Sequence, residues 1–330
     1  MEDWRHLLEG RLEDWTERVF GQGYHPEEAK AVSGGAQKLV YQIRCSNGFR
    51  FMLYVWDMRL NYFREELEQE EAPGPISGYG GKKFQTVNAY LRKLQVGTPE
   101  LYHFEAGSRP EEADFAFVEY IDGKEASDFF QADPGIQDQV FGPLAEMLTR
   151  MHEQTCAEWG PLDEPPSRPA TGCHWPMLTH ACRQLEYLSA YRTEFRNHRQ
   201  GFVHILKDYA SKIVPRSSYS FIHAELGPNH VLVDERLRPW LIDIEGALFF
   251  DAEYEHSFME FRFDNYGPYF KNGRLDPVRM AFYKLYHHIS YSAGAHRLLQ
   301  RGYPDAEAIK DILEYNSRRA LRMLVEPAHE

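Results

Sequence analysis

Two apolar runs constrain this chain most: Val231-Leu232-Val233 and Trp240-Leu241-Ile242, separated by the polar turn Glu235-Arg236-Leu237-Arg238. Each run has the length and composition of a short buried strand, and the turn between them predicts a β-hairpin. An antiparallel hairpin brings its two outer flanks to one end. Those flanks are His223-Ala224-Glu225 before the first strand and Asp243-Ile244-Glu245 after the second. Glu225, His230, Asp243 and Glu245 therefore converge although they are distant in sequence. Carboxylates gathered at a strand end repel one another, and such a cluster persists where a cation or a substrate offsets it. The plainer alternative is a solvated acidic rim with His223 as an ordinary polar core residue. Carboxylates at both mouths of one apolar hairpin favour the functional reading.

The rest of the composition narrows the classes. A hydrophobic fraction of 43% in 330 residues is ample for one large or two moderate cores. No apolar run reaches the ~18–20 residues that cross a bilayer, so no membrane partner is expected. The acidic, amphipathic start MEDWRHLLEGRLEDW is unlike a signal peptide. Cys45, Cys156, Cys173 and Cys182 lie scattered, as suits reduced thiols in a cytoplasm. The formal charge of −13 argues against nucleic acid as the main partner and is compatible with a cationic small molecule.

Taken in order, residues 4–20 have helical spacing of Leu7, Leu8, Leu12, Trp15, Val19 and Phe20. Residues 29–43 read as two strands joined by Ser33-Gly34-Gly35-Ala36-Gln37, and Asn47-Gly48 as a hairpin turn into a third strand, Phe49–Trp56. A glycine turn lets backbone N–H groups approach phosphate without a Cβ in the way. Residues 57–83 are irregular and rich in Glu, Gly and Pro, which suits either a loop over a ligand or a plain connector. Helices are expected over Phe84–Leu94, Phe141–Glu153, Cys182–Ile213, Arg274–Gly294 and Asp305–Leu324, and strands over Leu101–Glu105 and from Phe115. The Cys173-His174 and His180, Cys182 spacing is irregular for zinc.

The segment from Ser220 to Phe258 resembles the catalytic core of the aminoglycoside phosphotransferase and choline kinase family, whose fold is that of the protein kinases. The family pattern HGDxxxxN, two strands and IDxD or IDxE appears as His223-Ala224-Glu225 with His230 in the Asn slot, then Ile242-Asp243-Ile244-Glu245. The resemblance implies an α+β, bilobal protein-kinase-like fold. It has a small, mainly antiparallel β N-lobe over residues 1–122 and a larger, mainly helical C-lobe over residues 123–330.

It also implies roles. Glu225 stands at the catalytic aspartate, one methylene longer, with His223 bracing the loop. Asp243 is the principal Mg²⁺ carboxylate, with His230 (or Asn229) and Glu245 as further metal ligands. Ser33, Gly34 and Gly35 form the nucleotide-covering loop. The backbone of Glu119, Tyr120 and Ile121 forms the adenine hinge. Asp251 and Glu255 either hold ammonium groups of the substrate or brace the catalytic loop. Two family residues are replaced together: Tyr54 stands at the third-strand lysine and Asn88 at its glutamate partner. Losing both halves of a buried ion pair avoids stranding one charge, and Lys38 or Lys82-Lys83 would supply the cation instead.

The expectation is an ATP- or GTP-dependent, Mg²⁺-requiring transfer of phosphate to a hydroxyl of a small molecule such as a cationic antibiotic or amino-sugar, by a monomer or homodimer. The four departures at Tyr54, Asn88, Glu225 and His230 favour a pseudokinase-like binding protein as the alternative. A metal-dependent hydrolase on His223, Glu225, His230 and Asp243 is a third.

Overall fold

A computed structural model describes residues 11–32, 35–68, 78–109, 112–163 and 172–325. Helix α1 (Arg11–Phe20) precedes the strands β1 (Pro26–Val32), β2 (Leu39–Cys45) and β3 (Arg50–Trp56). A short helix α2 (Arg64–Glu68) and the longer α3 (Gly81–Lys93) lead to β4 (Leu101–Glu105) and β5 (Asp114–Glu119). The five strands form one antiparallel sheet in the order β1-β2-β3-β5-β4. Central β3 is covered on both faces, which is why its apolar run is nearly continuous. Phe51, Leu53 and Val55 pack with Leu12 and Trp15 of α1 on one face. Tyr54 and Trp56 pack with Phe84, Val87 and Leu91 of α3 on the other. Of the helix expected over residues 4–20, the part before Arg11 lies outside the described residues.

The chain then crosses to a second body. Strand β6 (Gly123–Glu125) is followed by α4 (Pro134–His152) and the two-residue strands β7 (Thr155–Cys156) and β8 (Gly160–Pro161). Helices α5 (His174–Tyr191) and α6 (Thr193–Lys212) come next, then β9 (Tyr219–Ile222), β10 (Val231–Asp234), β11 (Pro239–Leu241) and β12 (Leu248–Phe250). Helices α7 (Ala252–Arg262), α8 (Tyr266–Phe270), α9 (Pro277–Gln300) and α10 (Ala306–Val325) complete it. The hairpin expected from the two apolar runs is β10–β11, with Val231 opposite Leu241 and Leu232 opposite Trp240. Strand β6 pairs with β10, Gly123 opposite Asp234, so the chain joins the second body immediately after the last strand of the first. Phe195, Phe202, Leu206, Phe282, Tyr283 and Ile289 fill the helical core.

Two boundaries differ from expectation. The stretch read as one helix over 182–213 is two, broken at Arg192, whose backbone is extended (φ −123°, ψ 116°). The break lets Leu185 and Leu188 on one side and Phe195 and Phe202 on the other reach the same core. The Arg192 guanidinium bonds Glu194 and Glu314 at the corner. Helix α4 begins at Pro134 rather than Phe141, with proline in its first turn, where a missing N–H costs nothing. The architecture is α+β, an antiparallel sheet body followed by a helical one, as in the protein-kinase fold. Among the described residues no helix is long and apolar enough to cross a membrane.

Candidate functional site

A cavity of about 490 Å³ lies where the two bodies meet, lined among others by Gly35, Lys38, Glu225, His230, Asp243 and Glu245. The hairpin places these groups. Asp243 follows β11 after one residue, Ile242, and adopts a left-handed backbone (φ 58°), which turns the chain into a short 3-10 turn at Ile244–Gly246. Glu225 precedes β10, and Ala224 before it is also left-handed (φ 75°). This is the position at which the HGD pattern has glycine, the residue that adopts such a backbone without strain. Gly78 lies so close to this turn that a Cβ on it would sit 2.3 Å from the Gly246 Cα.

His223 locks the two flanks together. It is fully buried, its Nε2 donates to the Ile242 carbonyl (3.0 Å), and its Nδ1 accepts from the Glu225 N–H (3.4 Å). Both ring nitrogens are thus used by the neutral ring, and burial lowers its pKa, favouring that form. Beneath it, Glu255 accepts from the backbone N–H groups of His223 (2.6 Å) and Ala224 (3.1 Å) and from His152 (2.6 Å). Burial opposes the Glu255 charge, but these bonds and the neighbouring imidazoles hold its pKa below the usual carboxylate value. Asp251 is equally buried, accepts hydrogen bonds from Arg279 (3.0 Å) and Tyr283 (2.6 Å), and pairs ionically with Arg216 (3.2 Å). Of the two roles open to Asp251 and Glu255, their burial leaves bracing: neither carboxylate lines the cavity.

Glu225 itself is exposed to the cavity, and one of its oxygens accepts from the Tyr291 hydroxyl (2.8 Å). His230 Nδ1 donates to the Glu225 carbonyl (2.7 Å), which leaves Nε2 facing Asp243 Oδ2 at 3.4 Å. Asn229 turns away and accepts from Arg262 (2.7 Å). Lys38, at the entry to β2, crosses the cavity to Asp243 Oδ1 (2.6 Å) and also contacts Glu245 Oε1. Burial disfavours the Lys38 charge, yet the two carboxylates outweigh it and raise its pKa. The pair beneath it is split. Burial raises Glu245, whereas for Asp243 the attraction of Lys38 and His230 overcomes burial and lowers it. Glu245 also accepts from the Trp56 indole (3.2 Å), while its buried Oε2 has no hydrogen-bond partner among the described residues.

The expected metal ligands Asp243, His230 and Glu245 do not close into a cage. Among the described residues no group of three or more His, Cys, Asp or Glu could by itself hold a metal ion, and the Lys38 ammonium touches both carboxylates. Mg²⁺ is commonly held by one or two carboxylates together with phosphate and water. Asp243 and the orphaned Glu245 oxygen fit that partial shell.

Tyr54 lies under the Lys38 ammonium, 5.0 Å from ring centroid to Nζ, in a buried trio with Trp56 and Phe84. Asn88 is buried and donates to the Pro99 carbonyl (2.8 Å). The positions that would carry the missing ion pair are thus filled by packing and a neutral bond. Glu119, Tyr120 and Ile121 connect β5 to β6 outside the cavity, with the Glu119 N–H bonded to the Glu100 carbonyl (2.8 Å). Of the glycine loop, Ser33 and Gly34 lie outside the described residues. The Ala36 carbonyl accepts from Tyr62 N–H (2.9 Å), and the Tyr62 carbonyl accepts from Arg301, which caps the end of α9, so the turn is tied across to the second body. Sequence reasoning missed Tyr291, Trp56 and Arg301. They come from a distant helix or the reverse face of a strand, and no local spacing marks them.

The sequence profile of the phosphotransferase enzyme family (APH) matches residues 28–259. No curated protein matches the chain in sequence. Among solved structures, a thermostable mutant of aminoglycoside phosphotransferase APH(4)-Ia, in ternary complex with ADP and hygromycin B, superposes with a TM-score of 0.65 at 16% identity. That match covers 97% of this chain and 99% of the other. Spectinomycin phosphotransferase APH(9)-Ia in complex with ADP and spectinomycin gives 0.62 at 13% identity, covering 96% and 97%. Choline kinase LicA from Streptococcus pneumoniae gives 0.61 at 13% identity, covering 96% and 99%. These likenesses place the chain in the protein-kinase-like fold, and by its profile match the chain belongs to the phosphotransferase enzyme family.

Proposed function

We propose that this chain transfers the terminal phosphate of ATP or GTP to a hydroxyl of a small molecule. The carrying observation is the meeting of Glu225 and Asp243 in one cavity, delivered from opposite ends of a single hairpin. Phosphoryl transfer needs an orienting carboxylate at the acceptor and cationic contacts on the phosphates, with little covalent work by the protein. Glu225, aimed by Tyr291, would accept the acceptor's proton. Lys38 would contact the phosphates from the entry to β2, supplying the cation that position 54 lacks. Asp243, with Glu245 and His230 beside it, would hold Mg²⁺, which when bound offsets the phosphate charge. The Gly35 turn would cover the phosphates, and the base would extend beyond this cavity to reach Glu119–Ile121. Neighbours solved with ADP or AMP support a nucleotide reading.

The Lys38 bridge, together with the neutral Tyr54 and Asn88, favours a second reading, nucleotide binding without transfer. Calorimetric titration with ATP and GTP, with and without Mg²⁺, tests the shared part. Release of ADP that depends on an acceptor separates the two. Absence of nucleotide binding under both conditions would sink both.

A further inference from the structure

The cavity continues past Glu225 between α5, α7 and α9, and this half has a chemistry of its own. Its wall carries Tyr254, Phe258, His287 and Tyr291. Phe258 and Tyr291 stack at 5.3 Å with a 28° interplanar angle, and Tyr254 and His287 lie 4.4 Å apart. Tyr291 also holds Glu225, so the aromatic wall runs up to the reacting carboxylate.

Among the described residues the charged groups lining this half, Glu225 apart, have ionic partners. Arg297 pairs through Nε with Glu66 (2.9 Å), and Arg301 reaches the same carboxylate (2.8 Å). Arg297 Nη1 donates to Gln184 Oε1 (2.6 Å), which fixes the amide so that its Nε2 donates to His180 Nε2 (2.7 Å). His180 Nδ1 must then carry the proton and donates to the Tyr286 hydroxyl (2.7 Å). A ring locked this way is neutral, and burial pushes its pKa down to about 4. His287 Nε2 donates to the Tyr254 carbonyl (2.9 Å), and burial pushes that ring down to about 3. Of the carboxylates on α7 and just before it, Glu253 pairs with Arg216 (3.0 Å) and Glu260 with Lys284 (2.5 Å), while Asp251 and Glu255 stand in the bracing network. Aromatic faces can hold cations, but Arg262 already lies over Phe258 at 5.5 Å and Arg297 over Tyr187 at 3.8 Å. Among the described residues Glu225 is the one carboxylate of the cavity without an ionic partner. An ammonium bound there would occupy the group proposed to take the acceptor's proton.

We propose that the acceptor half of the cavity selects an uncharged, ring-shaped polyhydroxyl compound over an ammonium-bearing one. Ring C–H groups would pack against Tyr291, the more open of the two stacked rings, with one hydroxyl beside Glu225. This rests on the phosphotransferase reading and goes beyond it by naming the acceptor class. Apolar and aromatic walls with a few placed polar groups are how pockets take such ligands.

Matched pairs test it. Phenyl β-D-glucoside against phenyl β-D-glucosaminide, and myo-inositol against 2-deoxystreptamine, are titrated into the full chain, with and without AMP-PNP and Mg²⁺. The neutral member of each pair should bind about tenfold more tightly or better, a difference of ~1.4 kcal/mol. Equal affinity, preference for the amine, or no binding by either member overturns the acceptor class. Nucleotide binding is read in the same series. Its absence strikes the phosphotransferase reading, while the pairwise preference measured without nucleotide still decides the acceptor question.

Discussion

Replacing Lys38 by Met is the perturbation with the sharpest structural consequence. Lys38 touches two carboxylates of very different exposure: the Asp243 side chain is 41% accessible and that of Glu245 only 3%. Solvent screens Asp243, so its loss of a partner contributes little. The penalty falls on Glu245, where stripping the partner from a buried charge typically costs ~3–5 kcal/mol. Glu245 evades part of it by taking a proton, since burial already raises its pKa and removal of the ammonium raises it further. Its folded pKa then exceeds the unfolded one, so the variant is favoured at low pH and loses stability as pH rises through the folded value. Over the pH window above the ordinary value of 4.5 the variant should lose stability more steeply with rising pH than the parent, by up to ~1.36 kcal/mol per pH unit. Urea unfolding of both proteins across that window measures it. Parallel stability curves would refute the claim that Lys38 neutralises Glu245. The same variant should bind ATP at least about tenfold more weakly if the ammonium meets phosphate, a loss of ~1.4 kcal/mol.

Other perturbations probe the catalytic loop. Glu225→Gln should lower phosphate transfer by about 10²–10⁴ while leaving nucleotide affinity unchanged, the usual size of a general-base contribution; unaltered turnover removes Glu225 from the chemistry. Glu255→Gln should destabilise by ~2–4 kcal/mol in urea, because three donors converge on that carboxylate. Since the folded pKa of Glu255 is depressed, its contribution is present above the ordinary value of 4.5 and fades as pH falls through the folded value. The variant should therefore lose less than the parent in acid, and equal acid sensitivity would count against the network. Ala224→Val should cost ~2 kcal/mol or more while Ala224→Gly is neutral or mildly stabilising, because residue 224 is left-handed. The reverse order would show that the backbone relaxes.

The hairpin was readable because apolar runs, a polar turn and acidic flanks are local signals, and the register that joins the flanks follows from antiparallel pairing alone. The sheet and most helices were readable for the same reason. What the sequence did not disclose is pairing at a distance. Lys38 stood among several candidate cations, and only its contact with Asp243 and Glu245 in the folded chain selects it. Between substrate contact and bracing, Asp251 and Glu255 stayed undecided in the sequence because their partners, Arg279, Tyr283 and His152, come from other helices. The break at Arg192 was hidden by apolar spacing that continues in helical phase on both sides of it. Tyr54 and Asn88, legible as departures, acquire their meaning from what fills the vacated space.

The tie from Ala36 through Tyr62 to Arg301 has a mechanical corollary. Arg301 also grips Glu65 and Glu66, both at 2.8 Å, and Arg297 adds a further hold on Glu66. Any swing of the sheet body away from the helical body must rupture this knot of charges before the phosphate-facing turn can lift. Ionic strength, which leaves apolar interfaces largely alone, loosens such partly wet contacts. The rate at which ligands come and go should thus respond to salt even for guests that carry no charge.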